Sequence, residues 1–311
     1  MLKVLFYRRY VGFTGGHLKV WHYYNHVKAS NKHIPNIYFA EDSIWDSSNP
    51  WKNEGRLIVD QWSPEKSDII FLAGTDWRQL PEQERINYSK PIINLVQNIR
   101  HVNPSDVRYP FIKNKAVRLC YNIDVYDALK KANANGPVFY IPMGMDFDMA
   151  NKWRLLDIRP IDVLIVGYKD PEIALTVGLK IKAKRIRVEI LTKNIRRSEY
   201  IGLLRRSKIT LFMPMKEEGY YIPPLEGMAA GTLVICPDRP GVTNDYKDSI
   251  NCFRPQYDTG HIIEAVDKAL KMDKKMRNEL LHNGRATLLH HKLSNERDRS
   301  LDILNNIYQI W

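Results

Sequence analysis

The sequence predicts an α/β fold of two parallel-sheet domains, and three observations lead there: the length, an alternation of short apolar runs with helix-like stretches, and a break in that alternation near the middle. At 311 residues the chain exceeds the usual size of one core, so two domains of roughly 150 residues each are expected. Short apolar runs separated by helix-like segments are the pattern of βα units around a parallel sheet. A first series of strands is expected at 3–7, 37–39, 69–72, 91–96, 116–121 and 138–141, and a second at 162–167, 187–191, 209–213 and 233–236. The runs of the first series are short and internally apolar, as in strands covered by helices on both faces.

The chain opens on the strand KVLFY and passes through the glycine-containing loop VGFTGG into a helix expected over 17–27. The interval 143–160, with Gly144, Trp153 and Pro160, has no strand pattern and marks a boundary. The first domain is therefore expected over 1–150 and the second over 151–292. In the remaining segment, 293–311, Leu301, Leu304, Tyr308 and Trp311 recur at helical spacing, and Ile303, Ile307 and Ile310 widen the apolar face. That spacing predicts one terminal amphipathic helix. There is no repeat of fixed period and no low-complexity segment, which sets aside solenoids and arrays.

With 44% hydrophobic and 26% charged residues, the chain can bury a sizeable core rather than stay disordered. Cys120, Cys236 and Cys252 are odd in number, far apart and without metal-ligand spacing, which argues for a reducing compartment over a disulfide framework. The apolar run at the N-terminus is too short for a signal-peptide core or a membrane span, and no other stretch approaches 18 apolar residues. A cytoplasmic protein is expected, soluble or peripheral at the inner membrane face. The net charge of +12 is spread evenly: 21 Lys+Arg against 15 Asp+Glu in residues 1–155, and 26 against 20 in residues 156–311. An even excess fits anionic ligands or an anionic membrane surface better than nucleic acid. The densest basic cluster, Lys180, Lys182, Lys184, Arg185 and Arg187, reads first as a solvated face and second as a phosphate or membrane patch.

The segment EEGYYIPPLEGMAAGTLVICPD, residues 217–238, carries the most chemistry. It follows the strand 209–213, so Glu218 falls in a loop at the carboxyl end of that strand. Pro223 and Pro224 can begin a helix but not continue one, so a helix is expected from there to Gly231, a plausible stop, with Glu226 in its first turn. Carboxyl-end loops of open α/β sheets are where ligands bind, and a helix start there offers N–H groups to a phosphate. Glu218 and Glu226 would straddle that phosphate and accept hydrogen bonds from sugar and ribose hydroxyls. Taken singly, each glutamate has an ordinary structural reading: a first-turn carboxylate balances the helix dipole, and an exposed loop carboxylate needs no role. The joint pattern is less common.

This segment resembles the Glu-(seven residues)-Glu signature of retaining GT-B glycosyltransferases, the large family often numbered four. Glu218 and Glu226 have its spacing, and Gly219, Pro223, Pro224, Leu225, Met228, Ala229 and Gly231 fit the surrounding pattern. The resemblance implies a GT-B fold, with two Rossmann-like domains whose parallel sheets face across a cleft and a C-terminal helix crossing back to the first domain. It implies a donor site made by Glu218, Gly219, Tyr220, Tyr221, Ile222, Leu225 and Glu226, with Glu218 on the transferred sugar, Glu226 on the ribose and the backbone between them on the diphosphate. The loop 12–16 is similar to the family's glycine loop, which makes Gly15 and Gly16 candidates for the approach to donor and acceptor. His101, in NLVQNIRH, is the candidate active-site histidine, with Arg100 and His17 as weaker options. PVFYIPMGMDFD, 137–148, is similar to the turn that closes the family's first domain. Its Asp146 and Asp148 form an Asp-x-Asp pattern that in another fold would hold Mg²⁺, but they fit the closing turn better. The chain departs from the family at Gly167-Tyr168-Lys169, with Tyr where an Arg is expected and no Lys a few positions later. Lys169 is the substitute candidate and Lys193 a second contact to base or phosphate. Tyr220 and Tyr221 replace the more usual Phe-Gly.

The resemblance implies a retaining, metal-independent transfer of a hexose from a nucleotide diphosphate sugar, a UDP-sugar such as UDP-glucose or UDP-GlcNAc, to a hydroxyl acceptor in polysaccharide or glycolipid synthesis. No cofactor or metal is expected. The partners are the nucleotide-sugar donor, a carbohydrate or lipid-linked acceptor, and peripherally an anionic membrane, without nucleic acid. Two other readings stand beside it: a nucleotide-sugar epimerase or hydrolase on the same fold, and a non-catalytic basic scaffold.

Overall fold

The computed structural model describes residues 1–146, 156–216, 218–239, 242 and 245–311. The chain divides into two compact units, Met1–Gly144 with Leu293–Trp311, and Met145–Lys292. Trp153, from the expected boundary interval, and Asp148 lie outside the described residues.

The first unit is built on seven parallel strands: β1 (Leu2–Arg8), β2 (His33–Phe39), β3 (Ile58–Val59), β4 (Ile69–Ala73), β5 (Ile92–Leu95), β6 (Val117–Cys120) and β7 (Val138–Tyr140). Their order in the sheet is β3-β2-β1-β4-β5-β6-β7. Val4, Leu5 and Phe6 are all buried, as are all five residues of β4, so these strands contribute apolar surface on both faces, about 1.5–3 kcal/mol for each large side chain. The sheet differs from expectation at one edge. β2 begins at His33 rather than 37 and runs through Pro35, and the two-residue β3 is added beside it. Pro35 is tolerated because β3 pairs only with Ile37 and Tyr38, so β2 has no neighbour on that side at Pro35.

Helix α1 (Gly15–Lys28) starts two residues earlier than expected because the Thr14 side chain caps it, accepting from His17 N. Helix α2 (Ile123–Lys131) is capped in the same way by Asn122. The terminal segment forms two helices rather than one. Helix α8 (Leu293–Asn305) is followed by α9 (Ile307–Ile310) after a break at Asn306. The break changes the register of the apolar face: Ile307 is buried, whereas Tyr308, expected inward, is exposed. Helix α8 is fixed to α1 by a buried polar cluster. The Glu296 carboxylate accepts from Lys19 Nζ, from the Gly144 backbone N–H and, at 3.0 Å, pairs with His26 Nε2, while Lys19 Nζ also donates to the Gly144 carbonyl at 2.9 Å.

The second unit has four parallel strands, β8 (Ile161–Val166), β9 (Val188–Leu191), β10 (Ser207–Phe212) and β11 (Leu233–Ile235), in the order β11-β10-β8-β9. Helices α3 (Pro171–Lys182), α4 (Arg197–Arg206), α5 (Pro223–Ala229), α6 (Thr259–Lys271) and α7 (Lys274–His290) complete it. Its core packs Val163, Ile165, Ile209, Leu211, Leu233 and Ile235 from the sheet against Ala174, Val177 and Ile181 of α3 and Ile262 and Val266 of α6. Two glycines set the approach of α3. A Cβ on Gly178 would fall 2.2 Å from Ile190 Cδ1, and one on Gly167 would fall 2.1 Å from Ala174 Cβ. Among the described residues, no helix is long and apolar enough to cross a membrane.

Candidate active site

In the second sheet the chain runs from β8 outward to β9 and then returns to place β10 on the other side of β8. The strand order reverses between β8 and β10, and the carboxyl ends of strands at such a reversal are where open α/β sheets bind ligands. The loops leaving these two strands carry Lys169 and Glu218. Lys169 Nζ lies 2.6 and 2.8 Å from the two oxygens of Glu218, which also accepts from Met215 N at 2.8 Å. Glu218 is 5% exposed, so Lys169 supplies the charge that makes its burial tolerable. The same ammonium sits 4.6 Å from the centroid of the Tyr221 ring.

Glu226 is buried as well and pairs with Arg197, Oε1 to Nη1 at 2.5 Å. Burial raises its carboxyl above the ordinary value, and Arg197 opposes that rise. Tyr168 lies in the same neighbourhood: burial, then the charges of Glu226 and Glu218, push its phenol up to about 12, with Arg197 acting the other way. The Tyr200 hydroxyl is buried next to Glu226, and burial together with that carboxylate raises its phenol. Two buried carboxylates, each with its own cation, therefore share one end of the sheet.

Four of the seven residues between the glutamates, Tyr220, Tyr221, Pro224 and Leu225, are buried. The Tyr220 hydroxyl donates to Asp245 Oδ2 at 3.0 Å, and the Tyr246 hydroxyl donates to the Tyr221 carbonyl at 2.5 Å. Gly219 and Ile222 are half-buried, and Leu225 is fully inside the core. These side chains hold the loop from behind. The supply of N–H groups at the start of α5 is narrower than the sequence pattern suggests. An α-helix leaves four such groups open, but Pro223 and Pro224 have none and Leu225 N donates to the Ile222 carbonyl at 2.9 Å. Ile222 carries the remaining one. Lys193 is exposed two positions past β9 and makes no ion pair with either glutamate among the described residues.

In the first unit the strand order reverses between β1 and β4, whose carboxyl ends are tied by a buried Arg8–Asp76 ion pair. Gly15 and Gly16 form the first turn of α1 just beyond β1. Gln97, past β5, donates to the Gly16 carbonyl at 3.1 Å, and a Cβ on Gly16 would fall 2.8 Å from Gln97 Oε1. His101 lies four residues further on, in a 3₁₀ turn, Ile99–Val102. It is 6% exposed, and burial, then Arg108, pulls its imidazole down to about 3, so the ring is neutral at pH 7. Arg100 is exposed. His17 is half-buried, and burial with help from Arg8 pulls it down to about 4. Asp146 is exposed. Among the described residues no three His, Cys, Asp or Glu side chains gather where they could hold a metal ion.

Arg197, Tyr200 and Gln97 are absent from the sequence-based site. Arg197 left one readable signal. It opens α4, directly after Arg196 at the cap position, where a helix dipole disfavours cations and an anionic partner is therefore expected.

Residues 153–287 match the family of glycosyl transferases group 1. No curated protein sequence matches the chain. Solved structures do, at low identity and nearly full length. Anabaena HepE in complex with UDP and glucose superposes with a TM-score of 0.74 at 11% identity, covering 98% of this chain and 100% of that one. A glycosyltransferase from Rickettsia africae gives 0.72 at 13% identity, with 99% of each chain covered. Sucrose-phosphate synthase from Thermosynechococcus elongatus gives 0.71 at 11% identity, covering 99% and 100%. The chain thus has the GT-B fold of two Rossmann-like α/β units, and its second unit carries the glycosyl transferase group 1 match.

Proposed function

We propose that the protein is a nucleotide-sugar glycosyltransferase that moves a hexose from a UDP-sugar, such as UDP-glucose or UDP-GlcNAc, to a hydroxyl acceptor in polysaccharide or glycolipid synthesis. The observation that carries this reading is the pair of buried carboxylates, Glu218 and Glu226, each held by a cation where the second sheet reverses its strand order. The group 1 match over the same unit and the UDP and glucose bound by HepE support it.

In this reading the bond from the sugar C1 to the β-phosphate oxygen breaks, and a bond from C1 to the acceptor oxygen forms with retention at C1. The acceptor proton is released and the nucleoside diphosphate leaves. Glu218 accepts hydrogen bonds from the sugar hydroxyls and Glu226 from the ribose, while the Lys169 ammonium meets the charge that develops on the leaving diphosphate. Acceleration comes from positioning and fixed charge rather than from a strong nucleophile. Gly15 and Gly16 are assigned to the approach of donor and acceptor, with Gln97 packed against Gly16 where a Cβ would stand. His101 is neutral and buried, which suits a hydrogen-bond donor or acceptor better than a charged group. The diphosphate charge is met by side-chain cations, so the reaction needs no metal.

The experiment is direct. Purified protein is incubated with UDP-glucose and UDP-GlcNAc, with and without EDTA, and released UDP is followed along with the anomeric configuration of the product by NMR. Glu218→Gln should lower turnover by about 100-fold or more, the scale of losing a charge-assisted contact made in the transition state. Wild-type turnover in Glu218→Gln would remove the site assignment, an inverted product would remove retention, and loss of activity in EDTA would remove metal independence.

A further inference from the structure

Arg197 does more in this geometry than neutralise Glu226. Arg196 and Arg197 occupy the cap and first helical positions of α4, where each opposes the helix dipole. Glu226 satisfies one guanidinium nitrogen, Nη1. The Arg197 side chain is nevertheless 57% exposed, against 8% for Glu226, and a guanidinium has five donors in a planar fork suited to phosphate. Its Cζ lies 5.6 Å from the centroid of the Tyr200 ring, which supports the group from beneath. Tyr168, which follows β8, lies near enough to Glu226, Glu218 and Arg197 for their charges to act on its phenol. Lys169, the other cation there, already has both oxygens of Glu218 on its ammonium. A diphosphate carries more negative charge than one such lysine can meet.

We infer that Arg197 is a ligand for the diphosphate of the donor, reaching the phosphate oxygens with the donors that Glu226 leaves open while its contact to Glu226 keeps that carboxylate aimed at the ribose. This rests on the reading of residues 218–226 as a diphosphate-sugar site and adds a residue from a different element to it. It also accounts for Tyr168: with a cation supplied from α4, the position after β8 does not need one.

Binding of UDP and of uridine is measured by titration calorimetry on wild type, Arg197→Ala and Arg197→Lys, with GDP and guanosine, and ADP and adenosine, in parallel. Arg197→Ala should weaken the diphosphate by about 10- to 100-fold, the worth of a charged hydrogen bond, and the matching nucleoside by less than about 3-fold. Arg197→Lys should recover part of the diphosphate affinity, and the affinity of wild type for the diphosphate should fall more steeply with salt than that of Arg197→Ala. Equal losses for diphosphate and nucleoside would reduce Arg197 to a support for Glu226 and overturn the inference. Unchanged or tighter diphosphate binding would overturn it as well. Thermal unfolding of both variants separates a binding effect from misfolding; if Arg197→Ala unfolds early, the lysine variant decides by the same ratio. If no nucleoside diphosphate binds wild type, the reading of the site itself falls, and this inference with it.

Discussion

Glu296→Gln removes one charge from a site with almost no water and leaves the shape nearly unchanged. In wild type the Glu296 carboxylate faces Lys19, His26 and the Gly144 N–H, and both Lys19 and Glu296 are about 1% exposed. Breaking a buried pair by neutralising one partner strands the other charge, at about 3–5 kcal/mol. The first unit comprises Met1–Gly144 and Leu293–Trp311, and for a unit of that size each kcal/mol shifts the transition by about 2–4 °C. A drop of roughly 6–20 °C in the transition of this unit is expected by calorimetry. The double variant Lys19→Met with Glu296→Leu should recover part of the loss, because the ion pair is then removed as a whole while the Gly144 N–H and His26 still lose their acceptor. The pH dependence has a definite sign. Burial alone would raise the Glu296 carboxyl, but Lys19 and His26 outweigh it and hold it down to about 2, against an ordinary 4.5. A carboxyl depressed in the folded state adds stability that is fully present above its unfolded value and is lost as pH falls through the folded one. The advantage of wild type over Glu296→Gln should therefore shrink between about pH 4.5 and 2. A shift below about 2 °C at pH 7 would refute the assignment of an ionised, energetically coupled pair.

Two further substitutions probe the second unit. Gly167→Ala would place a methyl 2.1 Å from Ala174 Cβ, so β8 and α3 must separate, at about 1–3 kcal/mol or more; a urea midpoint unchanged from wild type would contradict the close packing. Tyr246→Phe removes the hydroxyl that donates to the Tyr221 carbonyl and leaves that carbonyl buried, at about 1–3 kcal/mol. The same variant should weaken UDP binding by loosening the loop, and calorimetry that found both stability and UDP affinity intact would rule out that support role.

The parallel sheets and the location of the glutamate pair could be read from the sequence because both follow from local signals. Runs such as 69–72 are short and apolar at every position, as a strand covered on both faces requires, and two prolines in a row leave a helix little choice of starting point. The features that escaped depend on what lies opposite in space. Strand β3 is two residues long and owes its existence to β2 beside it. The break at Asn306 turns Tyr308 outward although its helical spacing is intact. The contacts of Tyr220 with Asp245 and of Tyr221 with Lys169 join residues far apart in the chain and leave no mark in the local sequence. Arg197 is 29 positions before Glu226, and only the adjacency of α4 and α5 to the same strand end brings the two together.

Met145 N donates to the His291 carbonyl at 2.8 Å, and Met145 pairs with Lys292 in a short parallel bridge, so the two ends of the second unit are joined to each other. On the other side of the boundary, Gly144 and Leu293 are equally close, with an ideal Cβ on Gly144 falling 2.9 Å from the Leu293 Cα. In topological terms the second unit is an insertion into the first, with entry and exit at a single point. Residues 145–292 form one continuous segment whose ends are already closed, and the flanking pieces could be rejoined by a linker of very few residues. An exchange of this unit between related chains would open only two peptide bonds, 144–145 and 292–293, which lie side by side.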